Sequence, residues 1–349
     1  MKLPAFVEKA TLHGAMALPP ALFLRAFGQP PVNDRQSSLD PHVHVLLSLM
    51  RATQHPEIHT LGVEGAREVY DTGTTIMDVA PTDDVIRVHT TLQTASGPLY
   101  ARRYTTRAAE TGRPCIVFYH GGGFVVGSVE GYDGVCSLLA HRSGADVVSV
   151  EYRMAPEEPF PQSIEDSVAA YRAVLDTCHQ WGCDPSRVAP MGDSAGANLA
   201  INVSQRQVLD GQTLPAWQIL LYPLTDHGEK HASRDMFADG FFLTMNVMDW
   251  FARTYLGAAL DAEDHHDPRV VPMYFSHMKE MPPTYLVSAG FDPLRDECEL
   301  YVKSLSEHGV KVHHRDETHL IHGFLTMGGI IPAARRAIEG IADEIRALL

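Results

Sequence analysis

Short apolar runs alternate with longer amphipathic stretches through most of the chain after residue 110. Each run has the length of a buried strand, and each intervening stretch repeats its apolar positions at the three- to four-residue spacing of a helix. This alternation predicts an α/β fold with a mostly parallel central sheet and helices on both faces. The predicted strands are CIVFY from Cys115, ADVVSVEY from Ala145, RVAPMG from Arg187, WQILLYP from Trp217, TYLVSAG from Thr284 and KVHHRDE from Lys311.

The stretches between these strands predict helices that cover the sheet. The predicted helices span about residues 131–143, 161–179 and 294–308, with one directly after Ser194 and one that closes the chain. The closing helix carries a single apolar stripe, so we expect it to pack against the sheet. The stripe consists of Ile331, Ile338, Ile341, Ile345 and Leu348.

Three segments depart from the alternation. Residues 86–94 and 98–106 read as two strands joined across a Ser-Gly turn, which predicts a hairpin. The N-terminal region has helical patterns over about residues 5–27 and 41–54, and residues 226–260 form an aromatic-rich insertion between two strands. Neither the N-terminal region nor the insertion has a strand of its own to cover, so we expect them to form a helical cap together.

Composition narrows the classes of function. The 349 residues carry a formal net charge of −15, which opposes binding to nucleic acid and to anionic lipid surfaces. The N-terminal apolar run is interrupted by Pro19, Pro20 and Arg25, a pattern that suits neither a signal peptide nor a membrane span. We therefore expect a cytoplasmic protein without membrane insertion. The five cysteines are scattered and are expected to be buried free thiols.

One serine occupies a distinctive turn. Gly192, Ser194 and Gly196 satisfy G-x-S-x-G between a predicted strand and a predicted helix. This is the setting of a nucleophile elbow, a tight turn whose glycines prevent clashes with the neighbouring strand and helix. The alternative is a glycine-rich turn in which the serine only caps the helix.

Three consecutive glycines follow the first buried strand, in the stretch His120 to Phe124. Their backbone N–H groups are uncovered and suit the stabilisation of a developing oxyanion. A phosphate-binding loop is the rival interpretation, but neither G-K-[ST] nor G-x-G-x-x-G follows. We expect His120 to orient this loop by hydrogen bonding.

An acid and a histidine follow the last two predicted strands. Asp292 stands just past one strand end, where sites collect in open parallel sheets, and Asp296 is its rival in the first turn of the next helix. His322 lies in the loop after the last strand, with His319 as its rival. A serine nucleophile needs an imidazole to take its proton and a carboxylate to orient that imidazole.

The motifs HGGGF, YRMAPE, GDSAG, DPLRDE and HGF occur in this order between residues 120 and 324. The series resembles the hormone-sensitive-lipase-like family of bacterial carboxylesterases. The resemblance implies an α/β-hydrolase fold in which Ser194 is the nucleophile, His322 the base and Asp292 its orienting acid. It also implies an oxyanion hole made by three backbone amides, those of Gly122, Gly123 and Ala195.

We therefore predict a serine carboxylesterase that acts on small esters of short to medium chain length and needs no cofactor or metal. Residues 1–55 would be the N-terminal part of the cap, and residues 56–349 the catalytic domain with the insertion. An acyltransferase or amidase with the same triad, or a hydrolase-fold protein that only binds a ligand, are the alternatives. The oligomeric state stays open, a homodimer included.

Two further groups of side chains are candidates for a pocket and for a metal site. Aromatic and apolar residues near the elbow and in the insertion are candidates for an acyl pocket, although such residues are more often plain core. The candidates are Phe124, Tyr222, Phe241, Phe242 and Leu243. His265 and His266 stand among acids but lack the spacing of a metal site, so we interpret them as part of a solvated loop.

Overall fold

The computed structural model describes residues 5–106, 110–227, 230–257 and 266–349. Its centre is an eight-stranded sheet with the order β1-β2-β4-β3-β5-β6-β7-β8. The hairpin strands β1 and β2 and the pair β2 and β4 are antiparallel, and the remaining neighbours are parallel. The strands are β1 (Val85–Thr94), β2 (Gly97–Thr106), β3 (Arg113–Tyr119), β4 (Asp146–Val150), β5 (Cys183–Asp193), β6 (Gln218–Leu221), β7 (Thr284–Phe291) and β8 (Val312–Ile321).

Helices precede the sheet, connect its strands and close the chain. Four lie before β1: α1 (Ala5–Met16), α2 (Ala21–Phe27), α3 (Pro41–Ala52) and α4 (Gly62–Met77). The later helices are α5 (Asp133–Ser143), α6 (Gln162–Thr177), α7 (Ala195–Leu209), α8 (Ala232–Met236), α9 (Met245–Leu256), α10 (Arg295–Glu307) and α11 (Pro332–Leu348). The insertion between β6 and β7 contributes α8 and α9; its residues 228–229 and 258–260 lie outside the described residues.

The two faces of the sheet pack against different helices. Along β3, Ile116 and Phe118 lie in one core with residues of α5 and α11. Val117 and Tyr119 lie in a second core with residues of α6, α7 and α10. Because alternate side chains of a strand lie on opposite faces, a strand covered on both faces is apolar throughout. The prediction of an α/β fold with a mostly parallel, doubly covered sheet is confirmed.

The sequence patterns did not predict α4. Three glycines in its span weaken the intrinsic helix preference: Gly62, Gly65 and Gly73. Tertiary contacts compensate, since the Arg67 guanidinium donates hydrogen bonds to the carbonyl oxygens of Val125 and Ala155, both at 2.9 Å. These bonds dock α4 against the loops that follow β3 and β4.

The carboxyl ends of four parallel strands meet at one edge of the sheet. The glycine loop 120–124 follows β3, Ser194 follows β5, Asp292 follows β7 and His322 follows β8. Residues far apart in sequence therefore come together at the edge where open α/β sheets bind their ligands.

The closing helix α11 supports one face of this sheet, and Ile341 at its centre is fully buried. We expect Ile341→Ala to lower the free energy of unfolding by about 2 to 5 kcal/mol, because it leaves a cavity in a close-packed core. The exposed Arg336 of the same helix is the control, and Arg336→Ala should change this free energy by no more than about 0.5 kcal/mol. Urea denaturation measures both values, and equal losses would contradict the packing described for α11.

Candidate active site

Ser194 occupies a strained turn between β5 and α7. Its backbone has φ 55° and ψ −119°, and its side chain makes no capping hydrogen bond to the helix. A Cβ on Gly192 would overlap the backbone of Gly196, and a Cβ on Gly196 would overlap the carbonyl oxygen of Tyr119. Both motif glycines are therefore required by close backbone approach, and the capping alternative does not describe this serine.

The serine hydroxyl faces an imidazole that is itself held by a carboxylate. The distance from Ser194 Oγ to His322 Nε2 is 2.9 Å, and that from His322 Nδ1 to Asp292 Oδ2 is 2.7 Å. A carboxylate can only accept, so Nδ1–H donates to Asp292 and leaves Nε2 free to accept from the hydroxyl. Asp292 is fully buried, and its Oδ1 accepts a 2.8 Å hydrogen bond from Leu294 N.

The two rival residues have other partners. Asp296 Oδ2 accepts a 2.8 Å hydrogen bond from Ser233 N, and its Oδ1 pairs with Arg295. His319 Nδ1 donates to the carbonyl oxygen of Ser38 at 2.8 Å. Asp296 thus connects α10 to the start of α8, and His319 connects β8 to the segment before α3.

The glycine loop lies beside Ser194 with uncovered amides. Gly122 and Gly123 have positive φ angles of 113° and 59°. In the part of the chain that the structure describes, no hydrogen bond uses the N–H of either residue. Ala195 is the first residue of α7, so its N–H has no acceptor within the helix. The loop and the helix terminus therefore present donors around the serine.

His120 stabilises the glycine loop from behind. Its Nδ1 lies 2.8 Å from the carbonyl oxygen of Gly121, and its ring stacks on that of Tyr152 with centroids 4.4 Å apart. The hydroxyl of Tyr152 donates to the carbonyl oxygen of His120 at 2.8 Å. These contacts agree with the orienting role expected from the sequence.

A second buried carboxylate, which the sequence analysis did not single out, connects the parts of the site. Asp193 Oδ1 accepts a 2.7 Å hydrogen bond from Gly121 N, and its Oδ2 accepts from the hydroxyls of Tyr132 at 3.1 Å and Tyr222 at 3.4 Å. The hydroxyl of Tyr222 in turn accepts from Leu325 N at 3.3 Å, just past His322. Burial raises the pKa of the Asp193 carboxyl to about 6. In the sequence, the only sign of this role is that Asp193 directly precedes Ser194.

A cavity of about 1190 Å³ opens over Ser194. Among the predicted pocket residues, Phe124, Phe242 and Leu243 line it. Tyr222 and Phe241 lie behind its wall: the ring of Tyr222 is 4.8 Å from that of His322, and Phe241 stacks on Phe291 at 5.8 Å. The remaining lining comes mainly from the N-terminal helices and α9.

Two aromatic residues of α9 were missed by sequence reasoning. Phe251 lines the cavity against Gly123, and Tyr255 stacks on Phe124 with ring centroids 4.0 Å apart. Their four-residue spacing places both on one face of α9, but the same spacing is typical of an ordinary core-facing helix. The pattern alone could not separate a cavity wall from core.

Other sequence expectations concern metals and membranes. The described ranges contain no group of three or more side chains suited to hold a metal ion. His265 lies outside the described residues, and the ring of His266 packs against that of Tyr274 at 4.4 Å. Within the same ranges, no helix combines the length and the apolar character needed to span a bilayer.

A serine, a histidine and an aspartate within hydrogen-bond reach at the carboxyl edge of a mostly parallel sheet define a protein of the α/β-hydrolase class. The chain belongs to the alpha/beta hydrolase fold family, whose sequence model matches residues 116–326. The resemblance to hormone-sensitive-lipase-like carboxylesterases is confirmed by this match and by the relatives described next.

Two relatives come from Mycobacterium tuberculosis. The carboxylic ester hydrolase LipN is 36% identical over 73% of this chain and 68% of its own length. The carboxylesterase NlhH is 37% identical over 67% of this chain and 74% of its own length. Among solved structures, an ester hydrolase from the metagenome of Lake Arreo has a TM-score of 0.85 and 34% identity, covering 88% of this chain and 98% of that one. A hyperthermophilic esterase from Pyrobaculum calidifontis has a TM-score of 0.78 and 35% identity at the same coverage.

The buried Asp193 carboxyl predicts a pH-dependent stability. Its pKa in the folded protein, about 6, lies above the ordinary value of 3.8, so the folded protein holds this proton more tightly than the unfolded chain. The resulting stability is fully present below about pH 3.8 and is lost as the pH rises through about 6. Asp193→Asn stays neutral throughout. Relative to wild type, its free energy of unfolding should therefore rise by about 2 to 3 kcal/mol between about pH 4 and pH 7.

Urea denaturation of both proteins at several pH values in that range measures this difference. A difference that stays constant with pH would contradict the raised pKa of Asp193. A difference that falls as the pH rises would mean that the folded protein favours the ionised carboxylate.

Proposed function

We propose that this chain hydrolyses short- to medium-chain carboxylic esters through an acyl-enzyme intermediate on Ser194. The chain is a carboxylic ester hydrolase, the class of its mycobacterial relatives. The observation that carries the mechanism is the continuous hydrogen-bonded series from Ser194 Oγ to His322 and on to Asp292, with separations of 2.9 and 2.7 Å.

In the first half-reaction, Ser194 Oγ attacks the ester carbonyl carbon while His322 Nε2 takes the hydroxyl proton. The imidazolium that forms is stabilised by Asp292, which also fixes the tautomer of the ring. The carbonyl oxygen becomes an oxyanion and accepts hydrogen bonds from the amides of Gly122, Gly123 and Ala195. Donors aimed in advance at the developing charge stabilise the transition state more than the ground state.

The same residues complete the cycle. His322 gives its proton to the leaving alcohol oxygen, which departs and leaves an acyl group on Ser194. Water then takes the place of the alcohol and attacks the acyl carbon while His322 accepts its proton. The second tetrahedral intermediate collapses as His322 returns that proton to Ser194 Oγ, which releases the carboxylic acid and restores the serine hydroxyl. Asp193 stays outside this series and supports it by holding Gly121 in place.

Two parts of the chain enclose the space above Ser194 and support a limit on substrate size. Apolar side chains from both parts line the cavity: Leu12, Leu46 and Met50 from the N-terminal helices, and Leu243 and Phe251 from the insertion. The insertion also contacts the segment between α3 and α4, since Thr244 Oγ1 donates a 3.1 Å hydrogen bond to Glu57 Oε2. An acyl chain that fits this space gains from apolar burial, and a longer one must displace packed side chains.

The mechanism predicts the effect of removing each triad member. We expect Ser194→Ala to abolish labelling by a fluorophosphonate and to lower kcat on p-nitrophenyl butyrate by about 10⁴- to 10⁶-fold. His322→Ala and Asp292→Asn should each be severely impaired, because the hydroxyl then lacks its base or the base lacks its orientation. Initial rates and mass spectrometry of the labelled peptide measure these effects.

The controls are the two rival residues, His319→Ala and Asp296→Asn. Each variant should keep most of the wild-type kcat if circular dichroism shows that it is folded. A fluorophosphonate adduct on another serine, or controls that lose more activity than the triad variants, would overturn the assignment.

The cavity predicts a preference for acyl chain length. Each buried methylene contributes about 0.8 kcal/mol, or about fourfold in kcat/KM, until the cavity is filled. We expect an optimum at about C4 to C8 among p-nitrophenyl esters and little activity at C16. Deleting residues 1–27 removes the part of the lining that α1 supplies, Thr11, Leu12 and Ala15, and should raise relative activity on C12 to C16 esters.

The deletion must end before the segment 33–40, because this segment contacts the ends of β7 and β8, the strands that precede the acid and the base. Asn33 Nδ2 donates to Gly290 O at 3.1 Å, and Asp40 N donates to His319 O at 2.9 Å. A deletion through residue 40 should therefore lower kcat on butyrate as well, whereas deletion of 1–27 should not. A wild-type optimum at C16, or an unchanged length profile after deletion of 1–27, would show that the N-terminal helices do not limit the substrate.

A further inference from the structure

Two phenylalanine rings from the insertion lie directly against the two loops of the site. A Cβ placed on Gly123 would lie only 2.5 Å from Phe251 Cδ1, so this ring packs flat against the backbone of the glycine loop. A Cβ placed on Gly323, the residue after His322, would lie 3.2 Å from Phe242 Cε1. Both rings line the cavity together with Ser194. One ring therefore borders the oxyanion donors, and the other borders the base.

The chemistry of ester cleavage assigns a different part of the substrate to each ring. His322 must give its proton to the leaving oxygen, so the alcohol part of the ester lies on the His322 side of the reacting carbon. The carbonyl oxygen points at the amides of Gly122 and Gly123, and the acyl part takes the remaining direction, away from the imidazole. The ring of Phe242, beside His322, is thus next to the alcohol part. The ring of Phe251, beside Gly123 in the same cavity, is assigned to the acyl part.

On the basis of the proposed function, we propose that Phe251 and Phe242 are specificity-determining residues that divide the cavity at Ser194 into an acyl side and an alcohol side. Phe251 excludes acyl groups that are branched at the carbon next to the carbonyl. Phe242 in the same way disfavours alcohols branched at the carbon that bears the oxygen. The preferred substrates are therefore esters of linear carboxylic acids with primary alcohols.

The ring of Phe251 is held in place by the anchoring of α9. One turn further along, Tyr255 stacks on Phe124 at 4.0 Å, and its hydroxyl lies 3.0 Å from Ser163 Oγ. The carbonyl oxygen of Tyr255 accepts a 3.0 Å hydrogen bond from Phe160 N. Because these contacts fix the helix beside the glycine loop, the ring cannot retreat from a bulky acyl group without disturbing close packing.

The ring of Phe242 is held by its neighbour and its backbone. Phe242 has a φ of 77°, a conformation that a phenylalanine adopts only when the surrounding structure imposes it. The preceding Phe241 supplies that constraint, since its ring packs against Phe237 at 5.1 Å and Phe291 at 5.8 Å between centroids. Adjacent residues thus have opposite roles, with Phe241 as the anchor and Phe242 as the wall.

A crossed set of substrates tests the division. The acyl ratio is kcat/KM for p-nitrophenyl 2-methylpropanoate divided by that for p-nitrophenyl butanoate. The alcohol ratio is kcat/KM for 2-propyl butanoate divided by that for 1-propyl butanoate, followed by acid release in a pH-stat. Phe251→Ala should raise the acyl ratio by about tenfold or more and leave the alcohol ratio within about twofold of wild type. Phe242→Ala should do the reverse.

Two further variants distinguish the steric effect of the Phe251 ring from a general loosening of α9. Phe251→Leu keeps an apolar side chain but removes the flat ring, and should raise the acyl ratio by a smaller factor than Phe251→Ala. Trp250 packs against the core from the same helix, and its ring lies 5.2 Å from that of Phe251. Trp250→Leu should therefore lower stability, leave the alcohol ratio unchanged and raise the acyl ratio by much less than Phe251→Ala. If Phe251→Ala does not fold, the acyl ratio of Phe251→Leu alone tests the assignment of Phe251 to the acyl part.

The outcomes distinguish failure of this proposal from failure of the proposed function. Wild-type turnover that persists in Ser194→Ala would overturn the function itself. Serine-dependent turnover with both ratios unmoved, or with both ratios moved equally by one substitution, would overturn only the division. A rise in the acyl ratio for Trp250→Leu equal to that for Phe251→Ala would assign the effect to the flexibility of α9.

Discussion

The close approach of the β5–α7 turn to the end of β3 is the constraint on which the site depends. A Cβ on Gly196 would overlap the carbonyl oxygen of Tyr119 and lie 2.6 Å from that of His120. Because only hydrogen atoms fit there, the glycine loop after β3 comes within hydrogen-bond distance of Asp193, and Ser194 is presented at a φ of 55°. A larger residue at Gly196 would separate the serine from the amides beside it. The spacing of the glycines around Ser194 in G-x-S-x-G is thus a consequence of backbone packing.

Two buried carboxylates flank the reacting atoms, and their partners give them different tasks. Asp193 is held by neutral donors, the amide of Gly121 and two tyrosine hydroxyls, so burial dominates and raises its pKa to about 6. Asp292 faces the imidazole of His322, which carries a positive charge during the proposed reaction. A carboxylate beside a forming cation stabilises charge separation, whereas one among neutral donors only fixes geometry. In the proposed mechanism Asp292 therefore takes part in the chemistry, whereas Asp193 aligns the glycine loop.

Much of this arrangement could be predicted because its signals are local. Most of the central strands are short apolar runs, and Ser194 and Asp292 each stand just after one of them, whereas His322 follows the more polar β8. The cavity wall could not be predicted in the same way, since Phe241 and Phe242 are neighbours with the same chemistry and opposite surroundings. Their difference depends on the positive φ of Phe242, which no periodicity reveals. The helix α4 was missed for a related reason, because the bonds made by Arg67 override the weak preference of a glycine-rich segment.

The cap predicted from the sequence has contacts that make it part of the reactive geometry. The segment 33–40, assigned to the cap, bonds to Gly290 and His319, which lie close to Asp292 and His322 along the chain. In the insertion, Tyr255 stacks on Phe124 at the end of the glycine loop. Both sides of the serine are thus supported by segments that the sequence assigns to the cap, and Tyr255 among them also lines the cavity. A substitution that enlarges the cavity by shifting a whole cap helix should therefore disturb the positions of the base or the oxyanion donors. A substitution that truncates a single aromatic side chain and keeps the helix anchored should change selectivity without disturbing those positions.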